Sequence, residues 1–407
     1  MLGFAPLASA PFAAAGEGLS YQLAANEGTY SLTFQDVIDS VSITAGEATF
    51  TLTGQTAPLV VTKPADEGTY TVTGQDVDFT VNERLAAAHF NYIMTPQDAD
   101  AAWKRVAGQG SFSLSGQASG INYPLEAGQG AFSLSGQTTV FTVTLVAGEA
   151  TYALTGQAAN VNTSISHASG SFSVTGIDAS ISPTTVVTVN AAASFTLTGQ
   201  DINFDVQDIF VADNGSFTLT GQDVNFDVSD NFIAEAGSFT LTGQDTGLFV
   251  SDLLVVGGTS YTLTGQDINF DVNDNFVAEV GSFVLGGEDV SLRANFPVQL
   301  GQASFAITGQ DVTLIDGKSL VAEGVTYTIT AEDAVFTPEI TVPAQNIQYV
   351  LTGQNIGFTF PFGVDNGSFT ITGQDITISN PSSKRGVLVT GKSFNKVTLI
   401  QQYNKVA

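Results

Sequence analysis

Along most of the chain, apolar and polar residues alternate in short runs, broken at regular intervals by a Gly-Gln pair. In Phe217-Thr218-Leu219-Thr220-Gly221-Gln222-Asp223-Val224-Asn225-Phe226-Asp227-Val228 the alternation holds on both sides of Gly221-Gln222 but changes parity across it. Alternation with a period of two marks a half-buried β-strand. The unit generalises to (Phe/Tyr)-x-(Leu/Val/Ile)-Thr-Gly-Gln-Asp. Anchored on the Gly position, it recurs at 34, 54, 74, 96, 116, 136, 156, 176, 199, 221, 243, 265, 287, 309, 331, 353 and 373, which makes seventeen copies. An aromatic stands four residues before every anchor, and Leu, Val, Ile or Met two before. The anchor is Gly except at Phe34, Pro96 and Ala331. Self-similarity at a fixed period of this length is the signature of a repeat architecture.

The parity change suggests a turn. If Gly221 and Gln222 are the central residues of a chain reversal, Thr220 faces Asp223, Leu219 faces Val224 and Phe217 faces Phe226. Every facing pair then matches in polarity, as an antiparallel hairpin with one buried face requires. A two-residue turn with Gly first is the type II′ pattern, because that position needs φ > 0. The structural turns predicted on this basis are Gly54, Gly74, Gly116, Gly136, Gly156, Gly199, Gly221, Gly243, Gly265, Gly309, Gly353 and Gly373. A single hairpin is marginal in water and must cover its apolar face with neighbours. The expected fold is therefore all-β: tandem 20–22-residue β-hairpin repeats packed as an elongated array of β-sandwich-like layers. The alternative is a β-solenoid, each unit one coil, with aromatic and Leu rows stacked at ~4.8 Å per coil. Antiparallel packing is favoured here because a solenoid coil rarely needs so tight a reversal.

The period divides the chain. The step is 20 residues for most of the first half and 22 for most of the second, with the shift near position 190. The expected organisation is an apolar docking arm over 1–16, 20-residue repeats over 17–190, 22-residue repeats over 191–380, and basic capping or docking strands over 381–407. The first arm carries an Ala-Ser-Ala, but the first basic residue is Lys63, so the positive region of a signal peptide is missing. Within the first block, 83–106 is a degenerate unit. Tyr92 and Met94 keep the register, while Thr95-Pro96-Gln97-Asp98 reads as a helix N-cap followed by a short helix through Trp103.

Composition narrows the function. Only 12% of residues are charged, with 42 Gly and 29 Phe in 407 residues, which suits many short strands joined by tight turns. The net charge of −28 repels phosphate backbones and anionic lipid, so nucleic acid is not an expected partner. No apolar run approaches the ~18–20 residues that span a bilayer, so membrane insertion is not expected either. There is no cysteine, which removes disulfides and thiolate metal sites.

Catalytic chemistry finds no foothold. His89 and His167 lie in unrelated contexts without the spacing of a triad, and the paired carboxylates recur as part of the repeat, so no enzyme activity is expected. No cofactor is expected, with calcium the one exception considered. Asp201-Ile-Asn203-Phe-Asp205, Asp223-Val-Asn225-Phe-Asp227 and Asp267-Ile-Asn269-Phe-Asp271 echo the start of a calcium loop. The echo then fails, because Val206, Val228 and Val272 stand where the loop requires Gly and no Glu follows at position twelve. The alternative is a solvated acidic strand face. Docking candidates are the basic residues gathered near the end: Lys384, Arg385, Lys392, Lys396 and Lys405. Basic strands ending an acidic body suit an electrostatically steered contact, or equally an ordinary cap whose lysines protect a sheet edge.

Tandem FTLTGQD-type units after MLGFAPLASAPFAAAG resemble uncharacterised repeat proteins encoded in bacteriophage structural-gene regions. The resemblance implies a virion component such as a tail or head fibre or another appendage, with other virion proteins and copies of itself as partners. The other expectation is a secreted bacterial surface adhesin or matrix filament, located outside the cell.

Overall fold

In a computed structural model of the chain, the residues described are 20–33, 40–54, 59–63, 67–81, 85–95, 97–102, 106–121, 125–141, 145–161, 165–167, 170–182, 187–189, 193–294, 298–316, 320–338, 344–345, 348–359, 364–365, 368–380 and 396–401. Among them every regular element is a β-strand. The strands wind as stacked coils of a β-solenoid. One coil serves for all. Asp201–Val206, Ile209–Ala212 and Ser216–Thr220 follow one another as three sides, separated by corners at 207–208, 213–215 and 221–222. Each side then pairs, in parallel, with its own counterpart 22 residues on: Asp201 with Asp223, Ile209 with Asn231, Ser216 with Ser238.

Alternation now has a definite meaning. On the three sides, Ile202, Phe204, Val206, Phe210, Ala212, Phe217 and Leu219 are buried inside the coil, and the residues between them face out. Because the register is kept from coil to coil through these strands, like inward residues stack on one another. Phe217 lies on Phe239 with ring centroids 4.8 Å apart and planes within 2°, and Phe204 lies on Phe226 at 4.9 Å and 9°. Rings from different sides meet edge to face, Phe210 against Phe226 at 5.4 Å and 86°. Both geometries suit the ring quadrupole, and each pair adds ~0.5–1.5 kcal/mol beyond the area it buries.

The chain divides into two compact units, Met1–Thr184 with Ala192–Gly199, and Thr185–Ala191 with Gln200–Ala407. The first repeats the same design with a 20-residue step. Ser20–Thr33 pairs in parallel with Ser40–Thr53, and Tyr30, Phe50, Tyr70 and Tyr92 form a continuous stack at 5.2, 5.3 and 4.7 Å. In the second unit Phe283, Phe305, Tyr327 and Tyr349 continue the row at 4.6, 5.0 and 5.1 Å. Not every ring is a pure hydrocarbon. The Tyr261 hydroxyl is buried with no hydrogen-bond partner, and burial holds its pKa well above the ordinary value of 10.0.

Two expectations from the sequence change. The Gly-Gln pairs are turns, but they do not reverse the chain into hairpins, and no sandwich layers form. Thr220 pairs with Thr242 and Asp223 with Asp245, each in the neighbouring coil. The corner stays inside the parallel ladder: Gly221 N–H donates to Thr242 O at 2.9 Å and Gln222 N–H to Gln200 O at 2.7 Å. Phe217 and Phe226 do meet, at 5.3 Å, but across the inside of the coil and at 74°. None of the twelve predicted turn glycines has φ > 0. Among the described residues, glycines in that region are Gly28, Gly170, Gly237 and Gly324, the first three each two residues before an aromatic of the stacked row.

The second correction concerns 83–106. Leu85–Thr95 and Asp98–Ala102 are both strands, parallel to Glu67–Thr73 and Asp76–Val81. Tyr92 and Met94 are buried in the common rows, and that packing outweighs the local N-cap signal. Among the described residues of this segment, the ladder shifts register between Ala86 and His89. Pro96 and Trp103 lie outside the described residues.

Candidate functional surfaces

With the apolar positions turned inward, whatever this chain presents is built from outward rows, one residue per coil. The acidic rows come from the strand after each Gly-Gln corner. In the second unit one row runs Asp201, Asp223, Asp245, Asp267, Asp289, Asp311, Asp333, Asn355, Asp375, all exposed and in register. Stacking sets them ~4.8 Å apart, where like charges face one another and destabilise the sheet. The single amide relieves one step, since Asn355 Nδ2 donates to Asp333 Oδ1 at 2.6 Å.

A second row, four residues further on, reads Asp205, Asp227, Phe249, Asp271, Arg293. Burial pushes the Asp227 carboxyl above its ordinary range, and Asp205 in the preceding coil adds to the shift. Burial also raises Asp271, against the opposing effect of Arg293 in the next coil. The Asp271 Oδ1 atom is buried without a hydrogen-bond partner.

All nine calcium candidates are therefore on strands: Asp201, Asn203, Asp205, Asp223, Asn225, Asp227, Asp267, Asn269 and Asp271. An extended strand spaces its outward side chains ~7 Å apart, instead of folding them around one point. Among the described residues, no three or more His, Cys, Asp or Glu come together as a group that could hold a metal ion.

The strand before each Gly-Gln corner is different. Its outward positions are Ser216-Thr218-Thr220, Ser238-Thr240-Thr242, Ser260-Thr262-Thr264 and so on to Thr370-Thr372 in the second unit, and Thr49-Thr51-Thr53 to Ser194-Thr196-Thr198 in the first. No charged residue occupies any of these positions. Hydroxyls hydrogen-bond along the rows, as Ser260 with Ser282 at 3.1 Å and Thr73 with Thr95 at 3.2 Å. An open groove follows the corner beside this face in the second unit, lined by Thr308, Thr330, Thr352 and Thr372 together with Glu332 and Gln354. This face was not singled out from the sequence alone. Its signal was present: Ser or Thr one, three and five residues before most anchors.

Of the basic docking candidates, Lys396 falls on a described strand. Lys396–Gln401 pairs in parallel with Asp375–Asn380, which puts Lys396 in register with Asp375, the last acid of the long row. Lys384, Arg385, Lys392 and Lys405 lie outside the described residues, as does the apolar arm over 1–16. His89 and His167 sit on separate strands of the first unit, Leu85–Thr95 and Ile165–His167. No helix among the described residues is long and apolar enough to cross a membrane. No protein-family model matches the chain, and neither a curated protein nor a solved structure matches it.

Proposed function

We propose that this chain is a non-catalytic structural component of a bacteriophage virion, forming a fibre or appendage body that is attached through its ends. The observation that carries the reading is the coil-to-coil register, which is kept across the second unit. Residues of like character recur along most outward rows, so each added coil extends a surface more than it builds a singular cleft of the kind chemistry needs. The resemblance of the FTLTGQD units to repeat proteins of phage structural-gene regions supplies the setting. The acidic rows suit it too, since they keep such a body from adhering to DNA or to anionic cell surfaces.

The test is location. Antibody raised against the chain should label particles that band with packaged DNA, and mass spectrometry of those particles should recover its peptides. Recovery with cell envelopes instead would replace this reading with that of a bacterial surface adhesin or matrix filament.

A further inference from the structure

We propose that two copies of this chain associate face to face through the uncharged Ser/Thr face of the second unit, centred on Val284 and Gly286. The inference rests on the reading of the chain as an assembly component, and it adds the surface and the partner.

Charge selects the face. A body of net charge −28 repels its own kind, and the strand after each Gly-Gln corner carries the exposed Asp row. The third side is bordered at its corner by Asp208, Asp230, Asp252 and Asp274. The outward positions of the Ser/Thr face carry no charge from Ser216 to Thr372, and its acids, among them Glu235, Glu279, Glu288 and Glu332, stand at its rims, so two copies can approach there with like charges kept to the edges of the contact.

Pitch selects the partner. Rows repeat at ~4.8 Å per coil, and ridges of that pitch seat in the grooves between rows only on a surface of the same pitch. A second copy has it by construction. The available area is also sufficient. The second unit has eight coils from anchor 221 to anchor 373. Eight rises by five strand residues make a face of about 38 Å by about 17 Å, or about 650 Å² per copy. Two such faces bury about 1,300 Å², at the lower end of stable interfaces.

A register mark lies within the rows. Val284 replaces the usual Thr and projects with 41% of its surface exposed. Two residues on, Gly286 replaces the next Thr, and a Cβ built there would meet nothing within 4 Å. A two-fold axis between them seats Val284 of one copy in the notch at Gly286 of the other, in a self-complementary contact.

Sedimentation velocity on the full chain tests this. The parent should show a concentration-dependent dimer. Val284→Lys and Thr264→Lys, both at exposed positions, should weaken it by more than about tenfold. Asn269→Lys, an equal charge change on the acidic face, should leave the dimer intact. Matched thermal midpoints confirm that the variants fold. A parent that stays monomeric through the micromolar range overturns the inference, and so does a dimer indifferent to both face substitutions. Neither result bears on particle location, so the two proposals fail separately.

Discussion

A methyl group built on Gly265 would lie 2.7 Å from the Gln244 carbonyl oxygen, and one on Gly243 the same distance from that of Gln222. Real side chains do not tolerate such an approach to backbone, so something in the corner must move. Neither glycine has positive φ, which means the requirement comes from the neighbouring coil and not from the residue's own backbone. The strength of that requirement varies with the corner. Ala331 fills the same position and is itself buried, so one corner already accommodates a methyl. A β-branched side chain asks for more room than the corners at Gly243 and Gly265 provide. Gly265→Val should lower unfolding stability by about 2–3 kcal/mol, while Ala331→Gly should change it by less than about 1 kcal/mol. Urea titration of the two variants beside the parent checks both.

Between residue and molecule, the working element is the row, which couples each side chain to its copy in the next coil. For aromatics this is favourable, and for carboxylates it is not. The Asp227 carboxyl has a folded-state pKa above its unfolded value, through burial first and Asp205 second. A raised pKa means that the folded state holds the proton more tightly. The stabilisation from that proton is full below the unfolded value of about 4 and is lost as pH rises through the folded one. Thermal midpoints should therefore be higher just above pH 4 than at pH 7, and Asp227→Asn should flatten part of that difference. At pH 7, added salt should raise the midpoint by screening the exposed rows. A midpoint that falls on acidification from pH 7 would contradict this account.

The row also explains what could be read from the sequence. Spacing of Phe217, Leu219, Val224 and Phe226 around Gly221-Gln222 gives the strands, their boundaries and the buried residues. It does not give the direction of pairing. A hairpin and a corner both put residues of like polarity at equal distances from the Gly-Gln pair, and Phe217 meets Phe226 in either. What decides is a long-range preference that no local window contains: Phe217 gains a parallel neighbour 22 residues away that is identical to itself. The acidic strand face was legible for the same reason, because alternation alone puts Asp223, Asn225 and Asp227 on one side. The uncharged face was not singled out, since Ser and Thr beside a turn look like ordinary strand edges until coils are stacked.

At the scale of the whole molecule, a stack of like coils has a difficulty at its ends. Each coil is a template for the next, so an uncovered last coil offers unpaired backbone to any other chain. Here the edge of Asp375–Asn380 is met by Lys396–Gln401, whose lysine stands at the end of the acidic row and breaks the pattern that a further coil would continue. Removing 381–407 strips that cover. The shortened chain should then assemble by its bared edge into species larger than a dimer, in a concentration-dependent way visible by light scattering and negative-stain microscopy. That assembly is chemically distinct from face pairing: it uses backbone groups of the terminal coil, so Val284→Lys should not suppress it. Keeping 381–407 and substituting Lys396→Glu offers a sharper comparison. The strand remains, but its charge now repeats that of Asp375, and the like pair should weaken the cap and give assembly intermediate between the parent and the truncation. If the truncated chain sediments like the parent at every concentration, the terminal strand is not what limits growth of the stack.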